Sequence, residues 1–462
     1  MTYRPRLWHM VVAIIVVSIL SVLMAGLLRQ RQGLNRLQHI IADRQAAGQI
    51  GSIADLIATL PATDADLQAA WLSWSEGYSK SWVDPKYDDK AYHAWVTGTG
   101  PFPQGIADTL AARSASVQPA RDMLQREELL LSGAGWLRTH VTNPKYTLTE
   151  VAKLPLPNLL VQRDLAQWLR HAAVLADDPC PYLRDLDAVI HASRHPVTLI
   201  DALILVALLH IRDQAYVETA MRGTLSVDMA KAWIRDVVPI LRLTGQAMLD
   251  EGILFSIGTA NSIKPGNEWS FGRDVFGESS VRITWDVWWN GTTDSAKMLA
   301  YHADVHDRIM GITHTPLPDI TVVLASCGRI PRVLLPNSNE TVVTALTSDA
   351  DQRAIRLAVL LLQAHATIDL PADVAALRTQ KEYLDLMEPA GDAFYLTYER
   401  LAPRRMRICI SPTSPEPNIA IPGRITYLSK VWGTPAGKAS LIWNRNASVE
   451  LELPAKIEGS TP

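Results

Sequence analysis

Met10 to Leu28 reads MVVAIIVVSILSVLMAGLL, nineteen residues without a charge. At ~1.5 Å per residue such a run makes a helix ~28 Å long, close to the ~30 Å hydrocarbon core of a bilayer. It is longer than the ~7–15-residue apolar core of a secretory leader. A cut after Ala25 or Gly26 would place Leu23 or Met24 where a small residue is needed. Residues 10–28 therefore read as an uncleaved transmembrane anchor in contact with the lipid bilayer. No Cys lies near the run, so a lipoprotein is not indicated. Trp8 and His9 suit the headgroup level on one side. Arg4 and Arg6 precede the run, while Arg29, Arg31 and Arg36 follow it, so the positive-inside rule gives nearly a tie. A short tail before a long domain has the shape of a signal anchor. It places the bulk of the chain on the translocated side of the membrane.

The net charge is −3, and no dense Lys/Arg block exists beyond the juxtamembrane turn, which argues against nucleic acid as a partner. Cys180, Cys327 and Cys409 are far apart, odd in number and free of any CxxC pair. Buried thiols fit them better than a disulfide framework or a Cys zinc site, with one bridge left open.

Apolar spacing at Leu34, Leu37, Ile40 and Ile41 continues the anchor as an amphipathic stalk. The chain then divides into an N-terminal tail (1–9), the anchor (10–28), the stalk (29–60), a helical body (61–257), a Trp-rich excursion (258–290), a continued helical body (291–370), a small α+β segment (371–455) and a flexible tail (456–462). Gly48 and Gly51 interrupt the stalk, and Ser52 caps a short helix that stops before Pro61. A helix near Asp64 carries Leu67, Trp71 and Trp74, and the Tyr-, Asp- and Pro-rich stretch 80–105 reads as a loop. The middle is best patterned. Asn158 caps a helix with Leu165, Trp168 and Leu169 on one stripe, Pro181 sits in the first turn of the next, and Thr198 opens a third whose apolar core, Ala202–Leu209, is too short to span a bilayer. Ser226 and Asp228 start a further helix. Short turns between these helices imply antiparallel packing in a bundle or short solenoid. DITVVLAS reads as a strand or as an apolar segment packed on the bundle, and Glu340–Ala366 as a helix. FYLTYERL, RMRICIS, RITYLSK, ASLIW and SVELELP are short alternating runs expected to form strands. The fold class is mainly α, with a small C-terminal β-containing segment.

Two stretches carry a resemblance: PNLLVQRDLAQWLRHAAVLADD through LRDLDAVIHASRHPVTLIDALILVALLHI, and RIPRVLLPNSNETVVTALTSDADQRAIRLAVLLLQAHATIDLPADVAAL followed by EPAGDAFYLTYER. Together they resemble a broad group of uncharacterised bacterial proteins with one N-terminal transmembrane helix, a helical body and a small C-terminal β segment. The end of that group is similar to the C-terminal part of type II secretion major pseudopilins. Pro371 and Leu377 match the first pseudopilin-like motif without its Gly. Glu388, Pro389, Gly391, Leu396 and Tyr398 match the second, with Glu388 where Asp is usual. The acidic calcium loop and the prepilin leader are not seen. The resemblance implies anchoring and architecture and no chemistry.

The candidate chemistry is thin. His302 and His306 stand four apart on one helical face, with His314 downstream, the spacing of a zincin helix. Ala303 occupies the place of the general base, and Asp304 points about 160° away. The pair also lies on the stripe Met298, His302, Val305, Ile309, so a buried structural pair competes with a metal site. Cys327 follows an apolar run at a Gly turn and would need a His in hydrogen-bond contact to act as a nucleophile. Trp285, Trp288 and Trp289 fit either core packing or carbohydrate contact; with 14 Trp to 5 Phe, Trp is this chain's usual large hydrophobe. No GxGxxG, P-loop or GxSxG occurs, and no cofactor is implied. The expected role is a membrane-tethered, non-catalytic scaffold for an envelope protein partner. The alternatives are an accessory part of a secretion or pilus-like machine and a metal- or thiol-dependent envelope hydrolase.

Overall fold

The computed structural model describes residues 4–81, 89–96, 100–131, 133–140, 146, 159–263, 281–311, 325–327, 338–364, 369–379, 394–412, 429–433, 440–444 and 448–453. It is mainly helical, with a small antiparallel sheet near the C-terminus. Two compact units interleave along the chain. Unit 1 takes Met1–Leu60, Leu137–Leu156 and Met248–Ser338; unit 2 takes Pro61–Trp136, Pro157–Ala247 and Asn339–Pro462. The linear division of the sequence therefore does not follow the compact units, because which helices pack together is set by long-range contacts that no local pattern records.

Unit 1 is built on α1 (Arg4–Ala46), a single helix that carries both the apolar run and the stalk. Gly48, at φ 70°, ends it in the left-handed conformation that favours glycine. Ser52 then caps α2 (Ile53–Thr59) by accepting the Asp55 N–H at 3.1 Å. The long partner of α1 is α12 (Val281–Ile309). The Trp-rich stretch 258–290 is thus helical at both ends: α11 (Ile240–Ser262) runs into it and α12 begins within it. Its Gly, Ser and Asn content suggests an excursion, but Ile283 and Val287, four apart and buried, give the helix its inner face. Residues 264–280 and most of DITVVLAS lie outside the described residues.

Unit 2 holds α3 (Ala65–Ser81), α4 (Asp89–Val96), α5 (Gln104–Leu124), α7 (Leu159–Leu175), α8 (Cys180–Ala192), α9 (Leu199–Arg222), α10 (Val227–Arg235), α13 (Ser338–Ala364, from Asn339) and α14 (Val374–Arg378). The sequence boundaries of the two units fall within α6 (Gly133–His140) and α11. The presumed loop 80–105 contains α4, whose buried Tyr92 and Val96 stand one turn apart. α7, α8 and α9 follow one another through short turns and pack on one another. α9 is the central element: Thr198 and Asp201 form a capping box at its start, and Gly223 ends it at φ 74°. Leu205, Leu208, Leu209 and Val217 are buried along it, so this apolar helix belongs to the core of unit 2.

The sheet has the order β1-β2-β5-β4-β3, all neighbours antiparallel, from β1 (Phe394–Ala402), β2 (Arg405–Pro412), β3 (Ser429–Gly433), β4 (Ser440–Asn444) and β5 (Ser448–Glu452). Side chains alternate with period two. Leu396, Tyr398, Met406, Ile408, Leu441, Val449 and Leu451 face the core, while Arg407 reaches Glu450 at 2.9 Å on the other face. Of the pseudopilin-like motif residues, Leu377 and Leu396 are buried, and the Tyr398 hydroxyl donates to the Pro371 carbonyl at 2.8 Å. Glu388, Pro389 and Gly391 lie outside the described residues.

Candidate functional site

The feature of unit 1 that bears most on function is the seam between α1 and α12. From Ile15 to Leu28 the large apolar side chains of α1 are exposed. α1 is the one described helix long and apolar enough to cross a membrane. Its C-terminal half is gripped. Gly26 lies under the Trp288 indole, where any Cβ would overlap the ring. A Cβ at Gly33 would meet Thr292 Oγ1 at 2.5 Å and the Thr293 backbone nitrogen at 2.6 Å. Gly26 and Gly33 are two turns apart, on one face; Gly26 makes room for the indole, and Gly33 lets the two backbones approach closely. Hydrogen bonds fix the register. Gln30 donates to the Trp288 carbonyl at 2.8 Å, and the Thr292 hydroxyl donates to the Gln30 carbonyl at 3.0 Å. Arg29 donates to Asn290 Oδ1 at 3.0 Å. Further along, Arg44 meets both carboxylate oxygens of Asp307 at 3.3 Å. Residue 30 opposite 288–292 and residue 44 opposite 307 make the two helices parallel.

The histidines sit on the buried side of α12. His302 is fully enclosed, neither ring nitrogen has a hydrogen-bond partner, and a Cβ on Gly252 of α11 would overlap its ring. Burial pushes its pKa down to about 4, so the imidazole is neutral at pH 7. His306 is held below its usual value by burial, against the opposing hydrogen bond of Asp307 at 2.8 Å. One histidine thus faces α11 and the other is engaged by Asp307. His314 lies outside the described residues. Among the described residues no three His, Cys, Asp or Glu side chains are grouped to hold a metal ion. No disulfide joins the cysteines; Cys180 and Cys409 are free thiols, and Cys327 is buried with Ser326 Oγ 3.9 Å from its sulfur.

Unit 2 contains a buried charge cluster that sequence patterning does not reveal. Arg212 of α9 and Arg356 of α13 are fully buried. Arg212 pairs with Asp236 at 2.8 Å, Asp213 at 3.6 Å and Asp187 at 3.7 Å. Burial alone would lower its pKa, but the three carboxylates raise it. Arg356 lies 3.5 Å from Asp213 and over the Trp233 ring at 5.3 Å, and burial brings its pKa down to about 10. Trp233 donates to Asp213 at 2.9 Å and stacks on Tyr216, whose hydroxyl donates to Asp187 at 2.5 Å. Arg194 closes the set on Asp236 at 2.5 Å. Three arginines thus face three aspartates. Asp236 is pushed up by burial yet ends below the usual carboxylate range because Arg212 and Arg194 outweigh it. In a second pair, Glu218 of α9 meets Arg170 of α7 at 2.5 Å and also accepts the Tyr92 hydroxyl at 2.9 Å. Matched pairs of this kind define which helices meet more than they add net stability. The only trace in the sequence is the run His210–Glu218 of α9, where charged residues interrupt an otherwise apolar helix.

No family model, curated protein or solved structure matches the chain.

Proposed function

We propose that the chain is a membrane-anchored, non-catalytic scaffold of the bacterial cell envelope, held in the inner membrane by α1 with its bulk on the periplasmic side and docking a protein partner there. The observation that carries this reading is the continuity of α1. Its exposed apolar length runs without a break into a segment locked onto α12 at Gly26, Gln30, Gly33 and Arg44. A removable leader has no use for such a junction, whereas an anchor needs one to hold its domain in register. Tethering raises the effective concentration of whatever helical surface the two units offer to an envelope partner. Alkaline carbonate washing of native membranes, followed by protease added from the periplasmic side, tests anchoring and facing. The reading expects the chain to stay with the membrane and unit 2 to be digested. Crosslinking in intact membranes then reports the partner.

A second reading, an accessory part of a secretion or pilus-like machine, is favoured by one observation: an antiparallel sheet begins at Phe394, in the region of the pseudopilin-like motifs. It expects such components among the crosslinked partners.

A further inference from the structure

α12 brings three indoles to one level of α1. Trp285 and Trp289 stack at 5.8 Å with planes 12° apart, and Trp288 lies 5.1 and 5.9 Å from them. Trp288 closes on Gly26, whereas Trp285 is 48 % exposed. That level is where the uncharged run of α1 ends. Arg29, the first charge after it, lies over the Trp289 ring at 5.8 Å and donates to Asn290, which in turn donates to Asp286 at 2.7 Å. Apolar side chains thus give way to a layer of indole, guanidinium, amide and carboxylate within about two helical turns. Tryptophan is favoured at such a boundary because its ring seeks acyl chains and its N–H seeks water or headgroups. The spacing along α1 agrees. Trp8 to Gly26 covers ~27 Å of helix axis, against a hydrocarbon core of ~30 Å.

We propose that Trp285 and Trp289 are a second bilayer contact, seated at the headgroup–acyl boundary of the leaflet from which α1 emerges. This rests on α1 being a retained anchor, and it goes further. A lone helix can slide and rotate in lipid; a pair of indoles fixed beside it sets the depth and the azimuth of unit 1. The occupant is the lipid interface, because the exposed Trp285 stands beside Trp288, which closes on Gly26 at the end of the exposed apolar length of α1, and the exposed Arg31 follows on α1 at the level where lipid phosphates lie.

The test uses the full-length chain carrying Trp8→Phe, reconstituted in vesicles of phosphatidylcholine and phosphatidylglycerol with bromine near the headgroup or deep in the acyl chain. Retention on the vesicles after an alkaline wash is read first; release refutes the anchor and this proposal together. In retained protein, shallow bromines are expected to quench a fluorescence component that falls by about half in Trp285→Phe/Trp289→Phe. The exposed single variant Trp285→Phe serves if the double variant misfolds, with a smaller loss in the same component. Retained protein whose shallow quenching is unchanged by either substitution overturns the proposal and leaves the anchor standing. So does retained protein in which the two indoles are quenched by aqueous iodide instead, or by neither agent, which would mean water or a protein partner covers them.

Discussion

At Gly26 and His302, single atoms decide what the helices of unit 1 can do. Gly26→Leu forces a side chain into the Trp288 ring and is expected to cost about 1–3 kcal/mol. Pairing it with Trp288→Ala should recover part of that, read as thermal unfolding of the full chain in detergent. Gly33→Leu should be worse, since it meets backbone at Thr293 and not only a side-chain tip. His302 makes unit 1 sensitive to acid. Its folded pKa of about 4 lies below the 6.5 of a free imidazole, so the unfolded chain binds more protons between those values. The stability tied to the neutral ring is complete above pH 6.5 and is lost as pH falls towards 4, about 3 kcal/mol in all. His302→Leu should flatten this dependence relative to the parent; equal slopes would show that the ring is not buried neutral. The His302–His306 spacing is plain in the sequence, but what each ring meets is not. Gly252 and Asp307 come from packing and from a neighbour that the stripe pattern ignores.

Helix ends and strand alternation are local events, and the sequence announces them. Ser52, Thr198 and Ser226 cap the helices that follow them, and Leu396, Tyr398, Met406 and Ile408 alternate as a half-buried sheet requires. The burial of Arg212, Asp213 and Arg356 is not announced, because partners come from α8, α9, α10, α13 and the chain just after α10. Each charge on its own argues for the surface. The cluster is expected to behave as a unit. Asp213→Ala leaves two buried guanidinium groups short of a counter-ion and should cost about 3–5 kcal/mol, while adding Arg356→Met should return a part of it. Strict additivity in a denaturant titration would contradict the cluster. Thr198→Ala, by contrast, removes only a cap and should cost about 1 kcal/mol.

Composition and periodicity identified the apolar first helix, the mainly helical body and the C-terminal strands. They missed the interleaving of the two units and the helical ends of the Trp-rich stretch, both of which depend on contacts between segments far apart in the chain. On the proposed reading α1 stays in the mature molecule, one end in lipid and the other built into unit 1. The most direct test is the N-terminal peptide and intact mass of the protein recovered from its own membranes after an alkaline wash. A retained anchor gives a pelleted chain with Met10–Leu28 still attached. A soluble product beginning within or after that run would contradict it.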